Sequence, residues 1–284
     1  MQTAASGVPR FDNDPVTHQP RGLLMEEART NLVLNSGVLV TQSVTTTAAA
    51  TTLSFYGTGS VTLSGTFAGT VNGTGATTRT VSTFTPTAGT LTLTVSGSVT
   101  NAQVEAGSFV TSYIPTAGAT ATRAADIATM PLTGWYNASA GTFAAEFMVN
   151  QPAAAGTQEG ILRVDDTTAS NVITMYINVS GNIAGLITNA GTNQYNNFLN
   201  PGGAVLTFPA QGKGALNYGV VPHAAYNGGL GQIGSGALAP VTPTRLIIGA
   251  SSVSLGSWNL DGWIRRIRYW NRALTDAELV QVTK

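Results

Sequence analysis

Thr90, Leu91, Thr92, Leu93, Thr94 and Val95 alternate hydroxyl with aliphatic side chains, and Val61, Thr62, Leu63 and Ser64 do the same. A period of two sends the apolar groups to one face of a strand and the hydroxyls to the other, so both runs predict half-buried strands. Glycines at 57, 59, 65, 69, 73, 75, 89 and 97, with Pro86, fall between such runs, as tight turns of a small antiparallel sandwich require. Farther on, Gly141 to Val149 places Phe143, Ala145, Phe147 and Val149 on one face and leaves Glu146 on the other. Gly160 to Val164, Val172 to Val179, Ile183 to Thr188 and Arg245 to Gly249 are β-branched runs that also predict strands. One helix is predicted by its start: Thr275 and Glu278 have capping-box spacing, with Leu274 and Leu279 at the staple positions.

These elements divide the chain into an extended N-terminal arm (1–34), a small β-sandwich (35–110), a linker rich in Thr, Ala, Gly and Pro (111–129), and a second β-domain with a short C-terminal helix (130–284). The arm concentrates charge, with Arg10, Asp12, Asp14, Arg21, Glu26, Glu27 and Arg29, and is broken by Pro9, Pro15 and Pro20. Within it, Leu23 to Met25 fits a helical turn or a strand equally well. From Thr30 to Val104, by contrast, the only charged side chain is Arg79.

Composition narrows the function. A chain of 284 residues with 43% apolar side chains can bury a core in each of two domains. Thirteen basic and thirteen acidic residues give no overall positive field to collect phosphates, which argues against nucleic acid as a partner. Without cysteine there is no disulfide, thiolate metal site or thiol nucleophile. The first fifteen residues lack a basic cluster followed by an apolar stretch, so no signal peptide is expected. No apolar run is long enough for a membrane-spanning helix.

The motifs that carry chemistry elsewhere are incomplete here. Gly229, Gly231 and Gly234 match the spacing of a dinucleotide-binding loop, but Pro240 and Pro243 follow, with no helix pattern and no acidic residue where one is required. Asp12, Asn13 and Asp14 begin like a calcium loop that Val16 breaks, and Asp165 with Asp166 supplies only part of a cation shell, so a solvated turn is the stronger reading. His18 and His223, the only histidines, lie outside any nucleophile motif. Glycoside hydrolysis needs two carboxylates about 5 to 9.5 Å apart. Glu146, Glu159, Asp165, Asp166, Asp261, Asp276 and Glu278 are the candidates in the second domain, none forms an evident pair, and no catalytic residue, metal or cofactor is assigned. Trp135, Tyr136, Tyr195, Asn197, Tyr218, Tyr226 and Trp258 lie in or near predicted loops, a mixture suited to stacking on sugar rings and binding their hydroxyls. The competing and heavier reading is that most of these rings fill the ends of the sandwich.

Two stretches resemble phage and prophage structural proteins. Val8-Pro9-Arg10-Phe11-Asp12-Asn13-Asp14-Pro15, continuing through Arg21 to Leu32, resembles their N-terminal arm, and Asn101 to Phe109 with Thr111 to Thr116 resembles the segment that closes their first sandwich. Leu260 to Thr275 is similar to the final strand and helix start of concanavalin-like (laminin-G-like) sandwiches, although Arg265 and Arg266 stand where many relatives carry an acidic pair. The resemblance implies an all-β virion protein, assembled in the host cytoplasm, with a jelly-roll second domain. It implies a homotrimer displayed as a head fibre, decoration or tail fibre, bound to other capsid or tail proteins. Arg10, Phe11, Asp12, Asp14, Arg21, Glu26, Glu27 and Arg29 would anchor the arm to that neighbour, and the second domain would face outward toward host surface polysaccharide. A polysaccharide depolymerase and a purely architectural capsid cement are the alternatives.

Overall fold

The alternating runs form strands in the computed structural model, which describes residues 8–14, 17–151, 157–219, 221–234 and 241–284. The signal-peptide reading of the first residues, Pro15, Val16 and Pro240 fall outside the described residues. The chain divides into two compact units: one is Ala28–Ala124, and the other joins the described residues up to Glu27 to Ala125–Lys284. The N-terminal segment contributes β1 (Phe11–Asn13) and β2 (Pro20–Met25) to the second unit.

The first unit contains β3 (Arg29–Asn31), β4 (Gln42–Thr46), β5 (Thr51–Gly57), β6 (Ser60–Gly65), β7 (Gly69–Asn72), β8 (Gly75–Phe84), β9 (Gly89–Ser96), β10 (Thr100–Ala106) and β11 (Ala121–Arg123). A four-stranded sheet runs in the order β4-β9-β6-β7, a three-stranded sheet in the order β10-β5-β8, and β11 pairs with β3. Leu53 and Phe55 from one sheet meet Val61, Leu63, Leu91 and Leu93 from the other in a single core. Burying each contributes about 1.5–3 kcal/mol. Hydroxyls on the remaining faces pair across strands: Ser43 with Thr92 at 3.0 Å, Thr62 with Thr70 at 3.2 Å and Thr52 with Thr83 at 3.1 Å. A threonine-rich sheet thus satisfies its outer faces with almost no charge.

The segment expected to be a linker, 111–129, is in large part structure. Gln103 and Glu105 are fully buried on β10 and need partners there. The backbone N–H of Thr111 donates to Glu105 at 3.0 Å, its hydroxyl donates to the same carboxylate at 2.6 Å, and the N–H of Ile114 donates to Gln103 at 2.7 Å. The segment is therefore held against the sheet, and β11 follows within it.

The second unit adds β12 (Ala128–Pro131), β13 (Gly141–Val149), β14 (Glu159–Asp165), β15 (Val172–Ile177), β16 (Ile183–Asn189), β17 (Thr192–Phe198), β18 (Ala210–Tyr218), β19 (Ala224–Tyr226), β20 (Gly229–Leu230), β21 (Arg245–Ile248), β22 (Gly262–Trp270) and the helix α1 (Asp276–Val282). Its sheets run β1-β2-β22-β13-β18-β19-β20 and β12-β21-β14-β15-β16-β17, with every pairing antiparallel. Phe143, Ala145, Phe147 and Val149 face the core between them, as their alternation predicts, opposite Ile173, Met175 and Ile187. The unit is an antiparallel β-sandwich with one short α-helix. That helix begins with the predicted capping box between Thr275 and Glu278. Leu274 and Leu279 dock on Ala144, Ala215 and Ala225, alanines small enough to let a helix lie on the outer face of the seven-stranded sheet.

The N-terminal segment corrects the picture of a free arm. Leu23, Leu24 and Met25 pair with Ile264, Trp263 and Gly262, so β2 is an integral strand beside β22, and Met25 is buried in the core. Its charges are used within the chain. Arg10 is paired with Glu26 at 2.7 Å and with Asp126, and the backbone N–H of Glu27 donates to Asp261 at 2.7 Å. In the first unit Arg29 lies 4.0 Å from Glu105 and stacks over Phe109. Of the eight residues assigned to anchoring, Phe11 is the one left largely exposed, at 66%.

Candidate functional site

The outer face of the seven-stranded sheet carries the most chemistry. Residues of β13 that point away from the core are Thr142, Ala144, Glu146 and Met148. Glu146 lies opposite Arg266 of β22 and Lys213 of β18, while Met148 lies opposite Trp263 and Gln211. Between Glu146 and Phe147 the register with β22 slips by one, leaving Arg265 as the extra residue of a β-bulge. Its guanidinium donates to Glu146 at 3.2 Å. The neighbouring strand leaves room for the bulge only at glycine: a Cβ on Gly22 would lie 2.4 Å from the carbonyl oxygen of Ile264, and its φ of +114° is one that other residues rarely adopt.

Asp14, Thr17, Gln19 and Arg21 form a wall beside this floor. Trp263 donates its indole N–H to Asp12 at 3.2 Å, Arg21 stacks over the same ring at 4.8 Å, and Arg21 pairs with Asp14 at 2.8 Å. Between wall and floor lies a cavity of about 520 Å³. Thr17, Gln19 and Arg21 line it from the wall, Glu146, Met148 and Gln211 from the floor, and Asn227 closes the far side. Amides and hydroxyls that both donate and accept alternate here with ion-paired charges, a lining suited to a polar, hydroxyl-rich ligand.

The predicted aromatic platform does not form. Tyr218 is buried, stacks on Tyr136 with ring centres 5.6 Å apart, and donates its hydroxyl to the Asn137 carbonyl at 2.7 Å. Burial, helped by Tyr136 and Tyr269, pushes the Tyr218 hydroxyl above its usual ionisation range. Trp135 packs edge-on against Tyr269 in the same cluster. Tyr195 is 2% exposed and bonds the Gln232 carbonyl, Tyr226 is 9% exposed against Phe147, and Asn197 donates to the Ile233 carbonyl. These side chains fill the sandwich and its end, because rings contribute most when surrounded. Trp258 is exposed, at 39%.

Asp165 is not a cation ligand either. Arg163 and Arg245 donate to its two oxygens at 2.5 and 2.6 Å, and the carboxylate is fully buried. Among the described residues no group of three or more metal-ligating side chains assembles. Gly229, Gly231 and Gly234 follow β19 into a hairpin rather than opening a helix, and Gly231 is required where a Cβ would meet the Leu199 carbonyl oxygen at 2.3 Å. His223 is paired with Asp276 beside α1, and the backbone N–H of His18 donates to the Asp14 carbonyl in the β1–β2 turn. The two carboxylates that do share a cavity, Asp14 and Glu146, are remote in sequence. One signal for the site was present, the isolated outward Glu146, but its arginine and lysine partners depend on strand register.

No protein-family model matches the chain, and no curated protein matches it. Solved structures align with it in part. The CBM40 domain of the Ruminococcus gnavus IT-sialidase aligns at 16% identity and a TM-score of 0.43, over 52% of this chain and 84% of that one. The NanB sialidase of Streptococcus pneumoniae aligns at 14% and 0.41, over 55% of this chain and 26% of that one. A heptameric SAP-like pentraxin from Limulus polyphemus aligns at 13% and 0.39, over 51% and 70%. What those proteins bind is a property of theirs.

Proposed function

We propose that the second unit is a non-catalytic saccharide-binding module, carried by a structural protein on the surface of a phage particle. The observation that carries the binding reading is the polar cavity of about 520 Å³ on the outer sheet face. Gln19 and Gln211 offer amides that satisfy a sugar hydroxyl as donor and acceptor at once, while Pro20 and Met148 offer apolar surface to ring C–H groups. The virion setting rests on the resemblance of 8–32 and 101–116 to phage structural proteins. Trimeric assembly belongs to the same proposal and is read by a mass measurement in solution. Imaging of intact particles with the protein labelled tests the setting and distinguishes head from tail.

A glycan panel measured by calorimetry tests the binding. Gln19→Ala combined with Gln211→Ala is expected to weaken the bound glycan by about tenfold or more, for loss of two hydrogen bonds at roughly 0.5–1.5 kcal/mol each. Unchanged affinity would remove the cavity from the proposal. The depolymerase reading keeps one specific observation in its favour, the presence of Asp14 and Glu146 in the same cavity. Both carboxylates are already engaged by arginines, at 2.8 and 3.2 Å. New reducing ends produced by the wild type and lost in Glu146→Gln would establish turnover and displace the non-catalytic reading.

A further inference from the structure

Arg266 and Arg268 are exposed on the outer face of β22, and neither has a hydrogen-bond or ion-pair partner among the described residues. Beside them lies a second cavity of about 150 Å³, bounded by Ala144 and Ala145 below and by Gln281 and Lys284 at the end of α1. It shares Glu146 and Lys213 with the larger cavity, so the two form adjoining parts of one face. Six cationic side chains line the pair: Arg21, Lys213, Arg265, Arg266, Arg268 and Lys284. Among the described residues two side-chain carboxylates, Asp14 and Glu146, stand against them, and Lys213 donates to the backbone oxygen of Lys284 at 2.6 Å, in a chain that holds thirteen of each sign. A neutral protein thus concentrates a positive field on one face, and two arginines there retain their full hydrogen-bonding capacity.

We infer that the saccharide is acidic: a uronate carboxylate sits between Arg266 and Arg268 while neighbouring hydroxyls occupy the larger cavity. This rests on the saccharide reading of the same face. Planar guanidinium groups match a carboxylate in paired hydrogen bonds, and a space of about 150 Å³ beside the two arginines is large enough to admit one. Nucleic acid, the other common polyanion, lacks a platform for its bases. The only aromatic residue lining either cavity, Phe147, is 2% exposed and points into the core. The Trp263 ring is already covered by Arg21.

The test uses the full chain and three acidic polymers, polygalacturonate, alginate and hyaluronate, each alongside its methyl ester, which keeps the backbone and removes the charge. At least one acid form is expected to bind roughly ten- to a hundredfold more tightly than its ester, as charge-assisted hydrogen bonds of about 1.5–3 kcal/mol would give. Arg266→Gln with Arg268→Gln should abolish that preference and flatten the salt dependence, while the circular-dichroism spectrum stays unchanged. Equal affinity for acid and ester would overturn the acidic assignment while leaving the saccharide reading in place. Failure to bind any of the six polymers would overturn both. Single-stranded DNA binding as tightly as the best acidic polymer would replace the saccharide with a nucleic acid.

Discussion

Asp165 is fully buried, and burial alone would push its carboxyl up. Hydrogen bonds from Arg245, Arg163 and the Thr167 backbone N–H reverse this and hold it below the ordinary value of 3.8. A carboxyl depressed in the folded state contributes stability that is present above its unfolded value and is lost as pH falls through the folded one. Asp165→Asn would leave two guanidinium groups without their counter-charge, so a loss of about 3–5 kcal/mol is expected in urea unfolding at pH 7. The deficit should shrink as the acid limb of the wild type is followed below about pH 3.8, where the wild type surrenders the same contribution. A deficit constant with pH would contradict this account. Little of it was visible in the linear chain: Asp165 and Asp166 read as a turn because Arg245 stands 80 positions away. The tyrosines left two readings open for the same reason, since a ring near a loop reveals its surroundings only after the sheets close over it.

Elements whose determinants are local were legible. The alternation in β6, β9 and β13 needs only a period of two, and the start of α1 needs only Thr275, Glu278 and the two flanking leucines. Pairing was not legible, because β2 finds β22 across most of the chain, and the charges of the N-terminal segment resembled external anchors while their partners were still unplaced. The bulge at Arg265 depends on that pairing through Gly22. Gly22→Ala is expected to destabilise the second unit by about 2 kcal/mol or more, since alanine would enter a conformation open chiefly to glycine and meet the Ile264 carbonyl. Thermal unfolding checks the loss. The same variant should weaken saccharide binding, because displacing the bulge moves Arg265 away from Glu146.

At the scale of the whole molecule, the first unit interrupts the second in the chain: 28–124 separates β1 and β2 from the other strands of their sheet. Expressed alone, 28–124 contains every partner of its own three sheets and is expected to unfold cooperatively. Residues 125–284 alone would lack β1 and β2 and leave the edge of β22 bare, with Trp263 and Ile264 uncovered, so this fragment is expected to aggregate or bind a hydrophobic dye. Size-exclusion chromatography and dye fluorescence of the two fragments read both outcomes, and a monomeric, dye-silent 125–284 fragment would show β2 to be dispensable. Glu27 and Asp261, joined by a hydrogen bond, lie 234 positions apart. A ribosome adding about 5–20 residues per second would leave β2 waiting on the order of ten to fifty seconds for its neighbour to emerge. During that interval Leu23 and Leu24 travel with a nascent chain that cannot yet shelter them.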